Sequence, residues 1–447
     1  MKNILFKKNF WEKVKKLKNQ KVFIVVIATK PDIIKQAPLL KELIKQKQKV
    51  ILGHTGQHFD FNLSGGMLKE FDLKVDFNLQ ITGNLHQKTA QIIQRFGDIL
   101  EKLKKLNILP LPIVHGDTTT SSACANAAWC NRLAVIHNEA GIRTLTPKKS
   151  LFKKLLTYCN QDPESFAAKN NQILTWWIKA MKNKKNFERG SSEPFPEQFN
   201  TRTTESATGI FLAAHENNFL KEEGFPTDRI FIVGNCVTDA TQKALKNSKN
   251  SKIFQKYPLL KKGFIRFCIH RRENCENKKR FQAIFKAMEI LLNKGENILL
   301  ISLFATEKAI DDFKLRKKIE KFKKMKNFIY SPPWPYYTDV IAAMQKAKVC
   351  VTDSGSMQEE MNEMSIPTVT LRFGSDRAET LFAESNILAP PINGDLIAAL
   401  ISKIIQEKLL QKAPKIYGKN VSKQCAKTIL QVIKQENIFR SEEERLF

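Results

Sequence analysis

The sequence predicts an α/β protein with two Rossmann-like domains, each built on a parallel β-sheet. Its 447 residues exceed what one compact core usually supports, so two domains are expected. Short apolar, β-branched runs alternate with helical patterns, and continuous apolar runs between helices are typical of parallel strands buried on both faces. The alternation restarts after Gly234, which places the domain boundary near that residue.

Four apolar runs and two helical patterns predict the first domain, residues 1–233. In chain order they are the strand KVFIVVIAT at 21–29, a helix at 33–47, the strands KVILGH at 49–54 and LPIVHGD at 111–117, a helix at 119–131 and the strand LAVIHNE at 133–139. The strand segments are rich in Val, Ile and Leu, which suit a buried, pleated surface.

The same alternation predicts the second domain, residues 234–415. In chain order it has the strand FIRFCIH at 264–270, a helix at 278–293, the strands NILLISLF at 297–304 and NFIYSP at 327–332, a helix near 338–346, the strand KVCVTD at 348–353, a helix from Met357 and the strand IPTVTLR at 366–372. A last helical pattern follows at 421–436, and the tail after it is expected to be exposed.

Composition bears on localisation and on partners. No apolar stretch reaches the roughly 20 residues that a membrane helix needs, and the N-terminal stretch lacks the apolar region of a secretory signal. The eight cysteines are scattered without a CxxC pair, as is typical of reduced core residues. We therefore expect a cytoplasmic protein with no membrane partner.

The formal net charge of +30 could indicate a nucleic-acid partner, because a polyanion attracts dense positive charge. Lysine, however, greatly outnumbers arginine and is spread over nearly every helical segment. No arginine-rich segment alternates with aromatic residues. This pattern favours a general compositional bias, and we expect no nucleic-acid partner.

Polar side chains follow the predicted strands at the point where each strand ends. In open parallel sheets, ligands bind beyond the carboxyl ends of the strands. The polar runs are ATKPDIIK, GHTGQH, HGDTTT, NEAGIRT, CIHRRENCEN, TDSGSMQEE and LRFGSDRAE. Packing alone does not explain so many polar runs at equivalent positions, so the sequence predicts a binding site at this edge of the sheets.

Each polar run also has a purely structural interpretation. Asp117 could cap the helix that begins near 119, although Thr118 to Thr120 can do so without it. His270 could be a satisfied core histidine, whereas the two arginines after it favour an anion. The run TDSGSMQEE could be an acidic first turn, or a phosphate cradle followed by carboxylates that suit a ribose diol. Glu139 lies just before a glycine, which predicts a tight turn that presents its carboxylate to a cleft.

Taken together, the motifs resemble the UDP-N-acetylglucosamine 2-epimerase family from about residue 22 to residue 390. In order they are ATKPDIIKQAP (28–38), TGQH (55–58), HGDT (115–118), NEAGIRT (138–144), PFPEQ (194–198), GNCVTDA (234–240), HRREN (270–274), DSGSMQEE (353–360) and LRFGSDRAE (371–379). The resemblance implies two Rossmann-like domains in the GT-B arrangement, with the active site in the cleft between them. It also implies that segment 416–447 packs back on the first domain, and that the protein is a homodimer.

The resemblance further implies a 2-epimerase that interconverts UDP-N-acetylglucosamine and UDP-N-acetylmannosamine for polysaccharide biosynthesis. UDP would leave C1 by elimination to a glycal and re-add after C2 has been protonated on the other face. Such chemistry needs cations beside the departing diphosphate and carboxylates for proton transfer. The catalytic positions that the resemblance implies are Asp117, Glu139, Glu197 and His270. The substrate-binding positions that it implies are Lys30, Lys35, Arg143, Arg271, Ser354, Gly355, Ser356, Glu360 and Arg377.

Several motif residues bear on whether the enzyme retains UDP or depart from the family motifs. Gln57 and His58 match a motif associated with an activator site in the relatives that retain UDP, which favours the non-hydrolysing type. Lys30 stands where the family has an arginine, so the charge stays but the bidentate fork is lost. Gln198 and Ser356 replace a glutamate and a glycine of the family motifs.

A lysine-rich insertion runs from Pro147 to Glu193, between two motifs, and must therefore emerge beside the cleft. Its helical texture predicts a lid, an oligomer contact or an element that selects the substrate.

Other functions stay open. A hydrolysing relative would release UDP and free N-acetylmannosamine, and a related 2-epimerase would act on a diacetamido or uronic UDP-sugar, which the lysine-rich insertion would favour. A GT-B glycosyltransferase would not need three carboxylates together, and a non-catalytic UDP-sugar sensor or a nucleic-acid binder would be a further class. No GxGxxG follows the first strand and no metal-ligand spacing is present, so we expect neither NAD nor a metal, and no cofactor.

Overall fold

The computed structural model describes residues 3–56, 64–159, 163–190, 195–216 and 219–435. Its strands are β1 (Leu5–Phe6), β2 (Lys21–Ile27), β3 (Val50–His54), β4 (Phe77–Asn78), β5 (Leu109–His115), β6 (Val135–Ala140), β7 (Leu145–Pro147), β8 (Phe187–Arg189), β9 (Thr208–Ala213), β10 (Ile230–Ile232), β11 (Phe264–Cys268), β12 (Ile298–Ile301), β13 (Phe328–Ser331), β14 (Ala347–Thr352), β15 (Thr368–Thr370) and β16 (Asn386–Leu388).

The helices of the first half are α1 (Phe10–Lys15), α2 (Lys30–Lys45), α3 (Gly66–Glu70), α4 (Leu85–Lys105), α5 (Thr119–Cys130), α6 (Lys149–Cys159), α7 (Pro163–Lys182), α8 (Glu197–Ser206) and α9 (Phe219–Glu222). Those that follow are α10 (Val237–Asn247), α11 (Ile253–Lys256), α12 (Arg272–Cys275), α13 (Lys278–Asn293), α14 (Phe304–Asp312), α15 (Arg316–Lys323), α16 (Tyr337–Met344), α17 (Gly355–Met364), α18 (Ala378–Phe382), α19 (Gly394–Gln406) and α20 (Val421–Gln435).

The strands form two large sheets, one in each half of the chain. The first has the order β1-β4-β3-β2-β5-β6-β9-β10, in which only the β1–β4 pairing is antiparallel. The second has the order β13-β12-β11-β14-β15-β16 and is parallel throughout. The predicted α/β class with two Rossmann-like parallel sheets is therefore confirmed, and every predicted strand and helix is present with ends shifted by a few residues.

Helices cover both faces of each sheet, because the buried strands are apolar on both sides. In the first half, α4 and α5 pack on one face through residues such as Phe96 and Ala125, and α2, α10 and α20 pack on the other. In the second half, α13 and α19 cover one face, and α16 and α17 cover the other. No helix among the described residues is long and apolar enough to cross a membrane.

Helix α10 follows the predicted boundary near Gly234 and contacts both halves. Val237 and Ala244 belong to the core of the first sheet, while α10 also contacts α16 and α17. Helix α20 packs against α2, and its Cys425 and Ile429 are buried in the same core. The exact domain bounds of 233 and 415 stay a prediction.

The insertion begins in the first half and packs on the second sheet. Its base is the antiparallel pair β7–β8, and Leu145 exchanges two backbone hydrogen bonds of 2.9 Å with Ser375. Helices α6 and α7 bury Leu155 and Trp177 in the core of the second sheet. The Trp177 indole N–H also donates to the Leu388 carbonyl of β16 at 2.7 Å. The predicted helical texture is confirmed, and the insertion ties the two halves together.

Candidate active site

The carboxyl ends of the two sheets face each other, and four charged side chains meet between them. We call Lys35, Glu139, Glu359 and Arg377 the charge cluster. Lys35 Nζ lies 2.7 Å from both carboxylate oxygens of Glu139 and 2.5 Å from Glu359 Oε2. Arg377 Nη2 donates to Glu139 Oε1 at 2.9 Å, and Arg377 Nε contacts Glu359. The cluster therefore joins α2 and β6 of the first half to α17 and the start of α18 in the second.

Glu139 holds an unusual backbone conformation at the end of β6. Its φ is +68°, in the left-handed region that residues with a Cβ rarely adopt, and the register with β9 shifts between Asn138 and Ala140. Such strain persists where surrounding contacts determine the conformation, and it is concentrated at functional sites. Glu139 lies within β6 rather than in the predicted tight turn, and the irregular pairing there directs its carboxylate into the cluster.

The cluster sets the charge of its two glutamates. Burial would raise the pKa of Glu139, but the cations Lys35, Arg377 and His115 outweigh burial and hold this pKa well below its usual range. Burial, with the neighbouring Glu139 carboxylate, raises the pKa of Glu359 to about 8. At neutral pH Glu139 is therefore the anion of the pair, and Glu359 is mostly protonated.

Asp117 lies at the exit of β5, and a neighbouring residue caps the next helix. Thr118 is the N-cap of α5, where its hydroxyl accepts from the Ser121 backbone N–H at 3.2 Å, as predicted. Asp117 is thus not needed as a cap. One of its carboxylate oxygens lies 3.9 Å from Arg377 Nη1, beside the charge cluster.

Glu197 opens α8 on the same side of the cleft. One of its oxygens contacts Arg271 Nη1, and the other is buried without a hydrogen-bond partner among the described residues. Burial raises the pKa of Glu197, the nearby Asp117 carboxylate adds to this, and Arg271 opposes it. Glu197 is thus a carboxyl group that readily holds a proton, and the Asp117 carboxyl group lies near it.

Asp353 holds the backbone of His270 and Arg271, which follow the end of β11. The Asp353 carboxylate accepts both backbone N–H groups, at 3.1 Å from His270 and 3.0 Å from Arg271. It also lies 3.2 Å from His270 Nδ1. Burial would lower the pKa of His270, but Asp353 outweighs burial and raises it. His270 is half-buried, so it presents a partly charged edge to the cavity beside it.

That cavity, of about 200 Å³, lies between α2 of the first half and α17 of the second. It is bounded by four of the nine predicted substrate-binding residues and by His270, together with apolar and aromatic residues. The lining includes Lys30, His270, Ser354, Ser356, Glu360, Arg266 and Trp334. Gly355 opens α17, and a Cβ there would lie 3.2 Å from an Asp376 carboxylate oxygen, so the close approach favours glycine. Burial raises the pKa of Glu360 to about 7.

Other predicted residues lie elsewhere. Arg143 is buried, and its guanidinium donates to Glu223 Oε1 at 2.9 Å and to Glu205 Oε1 at 3.2 Å. It also lines a second cavity, of about 620 Å³, together with Glu139 and Arg377. Gln57 and His58, the predicted activator site, lie outside the described residues.

Sequence reasoning did not single out Asp32 and His115, and it paired Glu359 with Glu360 as carboxylates that suit a ribose diol. All three lie inside quoted motifs, as the Asp of ATKPDIIK, the His of HGDTTT and the first Glu of the EE pair in TDSGSMQEE. Their place in a motif was a signal, but only their partners in space reveal a role. Among the described residues, no group of His, Cys, Asp and Glu side chains is arranged to hold a metal ion.

Comparisons with known proteins agree with this geometry. A family model described as UDP-N-acetylglucosamine 2-epimerase matches residues 41–152 and 187–434, and the gap falls within the insertion. A UDP-N-acetylglucosamine 2-epimerase of Methanococcus maripaludis is 30% identical over 372 residues, which are 82% of this chain and 87% of that protein. One from Neisseria meningitidis is 26% identical over 430 residues, covering 91% of this chain and 98% of that protein.

A solved structure has a similar fold. The Methanocaldococcus jannaschii UDP-GlcNAc 2-epimerase in complex with UDP-GlcNAc and UDP superposes with a TM-score of 0.73 at 24% identity, over 93% of this chain and 99% of that one. The GT-B arrangement predicted from the motifs is thereby confirmed.

Proposed function

This chain belongs to the UDP-N-acetylglucosamine 2-epimerase family, and we propose that it inverts C2 of UDP-N-acetylglucosamine while UDP stays in the product. The observation that carries the proposal is the meeting of Asp117 and Glu197 with Arg271 and Arg377 at one place in the cleft. Two carboxyl groups, of which Glu197 has a raised pKa, lie beside two guanidinium groups and match the needs of an elimination that removes and returns a proton while an anion departs.

The proposed reaction begins with loss of UDP from C1. The C1–O bond breaks with its electron pair going to UDP, and the C2–H proton passes to a carboxylate, which leaves a C1–C2 double bond in the glycal. Asp117 suits the base, and Glu197, whose pKa is raised by burial, suits the acid that protonates C2 from the other face. UDP then re-adds to C1, Asp117 releases the proton it took to solvent, and Glu197 regains a proton from solvent.

We propose a different role for Glu139, the third carboxylate that the resemblance implies for proton transfer. Lys35, Arg377 and Asn235 all donate to it, at 2.7, 2.9 and 3.2 Å. Its depressed pKa makes it a poor proton carrier at neutral pH. Glu139 is instead the counter-ion that orients Arg377 beside Asp117.

The cavity next to His270 suits the nucleotide part of the substrate. The N–H groups that open α17, with Ser354 and Ser356, can bind phosphate oxygens, and the lysine and histidine across the cavity add positive charge. Glu360 lies one turn into the same helix, where its carboxylate can accept from a ribose diol.

The test is an NMR time course with UDP-N-acetylglucosamine in deuterated water. We expect deuterium at C2 in a mixture of UDP-linked gluco and manno sugars, and its loss in Glu197→Gln and Asp117→Asn. Free N-acetylmannosamine plus UDP would replace the retaining assignment by a hydrolysing one. An unchanged spectrum, with turnover of a diacetamido or uronic UDP-sugar instead, would refute the substrate assignment.

We also propose that the protein acts in the cytoplasm as a homodimer, as the family resemblance implies. All eight cysteines are free in the structure, and six of them are buried, which suits a reducing compartment. Light scattering on the eluting peak of a sizing column would give the mass of the particle, and a monomer mass at working concentration would contradict the dimer.

A further inference from the structure

His115, the last residue of β5, lies between two carboxylates that come from two other elements. Its Nδ1 is 2.9 Å from Asp32 Oδ1, and its Nε2 contacts Glu139 Oε2. The histidine is only 3% exposed, and both acids are equally buried. The proposed reaction assigns this residue no role, yet it touches the carboxylate at the centre of the charge cluster.

The geometry determines the charge of the imidazole. A neutral ring has one N–H and one lone pair, so one nitrogen would present its lone pair to a carboxylate oxygen, whereas the imidazolium donates from both nitrogens. Burial and Lys35 lower the pKa of His115, but Glu139 and Asp32 outweigh them and raise it to about 9. The other nearby histidine, His137 on β6, has its pKa lowered to about 4 by burial and adds no charge at neutral pH.

Asp32 is itself firmly held, so it can anchor the ring. Its Oδ2 accepts from the Thr29 backbone N–H and from the Thr29 hydroxyl, at 2.9 Å each, in the capping box of α2. Lys35 follows on the same helix and binds Glu139 directly. Helix α2 therefore holds Glu139 in two ways. Lys35 binds Glu139 directly, and Asp32 binds His115, which in turn contacts Glu139.

We propose that His115 is a positioning residue that fixes the Glu139 carboxylate, and through it Arg377, in the orientation that the reaction uses. Glu139 has a left-handed backbone and two oxygens that must face different partners. His115 contacts Oε2, Lys35 binds both oxygens, and Oε1 is directed at Arg377 across the cleft. Without His115, Glu139 loses one of the contacts that orient it from the first half of the chain, and Arg377 loses its alignment with Asp117.

The test compares His115→Gln with His137→Gln. The control histidine is equally buried on the neighbouring strand, but its Nε2 meets the Gly116 carbonyl at 2.8 Å rather than a carboxylate. We expect kcat to fall about 100-fold in His115→Gln with KM little changed, because misplacement of a reacting group costs on this order. His137→Gln should lose far less. Equal losses in the two variants would show that His115 has only a packing role and would overturn the proposal.

A second measurement does not depend on turnover. In protein labelled with ¹⁵N-histidine, the two ring nitrogens of His115, identified by their change in Asp32→Asn, should both be protonated at pH 7.5. Asp32→Asn, which keeps the helix cap but removes the charge, should lower the pH at which this imidazolium titrates. A neutral His115 ring at pH 7.5 would overturn the proposal even if His115→Gln did not fold.

The role of His115 rests on the proposed function only for its effect on kcat. If the wild-type protein turned over no UDP-sugar, the proposed function would fail, while the charge state of His115 would still be measured.

Discussion

The surroundings of Lys30 predict how the activity depends on pH. It opens α2 and lines the nucleotide cavity, where its Nζ donates to the Trp334 carbonyl at 2.9 Å. Burial, with a smaller contribution from the nearby Arg266, lowers its pKa to about 8, because an ammonium in a partly dry site is disfavoured. Lys30, which we propose to bind the diphosphate, therefore loses its charge as the pH rises through about 8.

The size of the expected fall in activity follows from this pKa. With a pKa of about 8, roughly nine tenths of Lys30 is charged at pH 7 and about one tenth at pH 9. Since kcat/KM reports the ionisation of the free enzyme, it should fall about tenfold between these two pH values. The fall should appear mainly in KM, because the charge binds substrate rather than reacting with it.

Lys30→Arg is the matched variant. A guanidinium stays protonated at every pH that the protein tolerates, so the fall above pH 8 should disappear while activity at pH 7 is largely kept. Lys30→Met should give weak binding that does not change between pH 7 and pH 9. The assay is the initial rate of epimerisation across that range. If Lys30→Arg kept the same fall near pH 8, another group would be responsible, and the reasoning about Lys30 would be refuted.

The remaining predictions concern stability and proton transfer. Trp177→Ala should cost about 3–5 kcal/mol of unfolding free energy because the indole is 1% exposed, whereas Trp176→Ala, at a half-buried neighbour, should cost clearly less in urea unfolding. Glu139→Gln should also destabilise the fold by about 3–5 kcal/mol, because buried cations would face a neutral amide, and an unchanged unfolding midpoint would contradict the assigned charges. Glu197→Gln should lower kcat by at least about 100-fold with UDP binding retained, while the exposed Glu188→Gln should leave kcat unaltered. Comparable rates for these last two variants would remove Glu197 from the proton transfer.

Only the tertiary structure shows where the insertion packs and which groups one predicted site residue contacts. Polar and apolar periodicity predicted helices in the insertion, but its apolar face could have covered either half or a second molecule. Only the folded chain shows Trp177 against β16 of the second half. Likewise, Arg143 belongs to a site motif by sequence, and only the folded chain shows that Glu205 and Glu223 bind its guanidinium.

The sequence by itself determined the α/β class, the order of the strands and helices that it predicted, the Thr118 cap and the strand ends that carry polar residues, but not elements such as α4, β9 and α19. These features depend on residues close together in the chain, since apolar runs, helical periods and caps are local patterns. The charge cluster could not be predicted from such local patterns. Lys35 and Arg377 meet Glu139 across 104 and 238 residues of sequence, and their pairing depends on how two sheets and the left-handed backbone at Glu139 place them. Short sequence motifs thus identify the chemical groups of the site. The charges and partners of these groups depend on the contacts made when the two halves of the chain pack together.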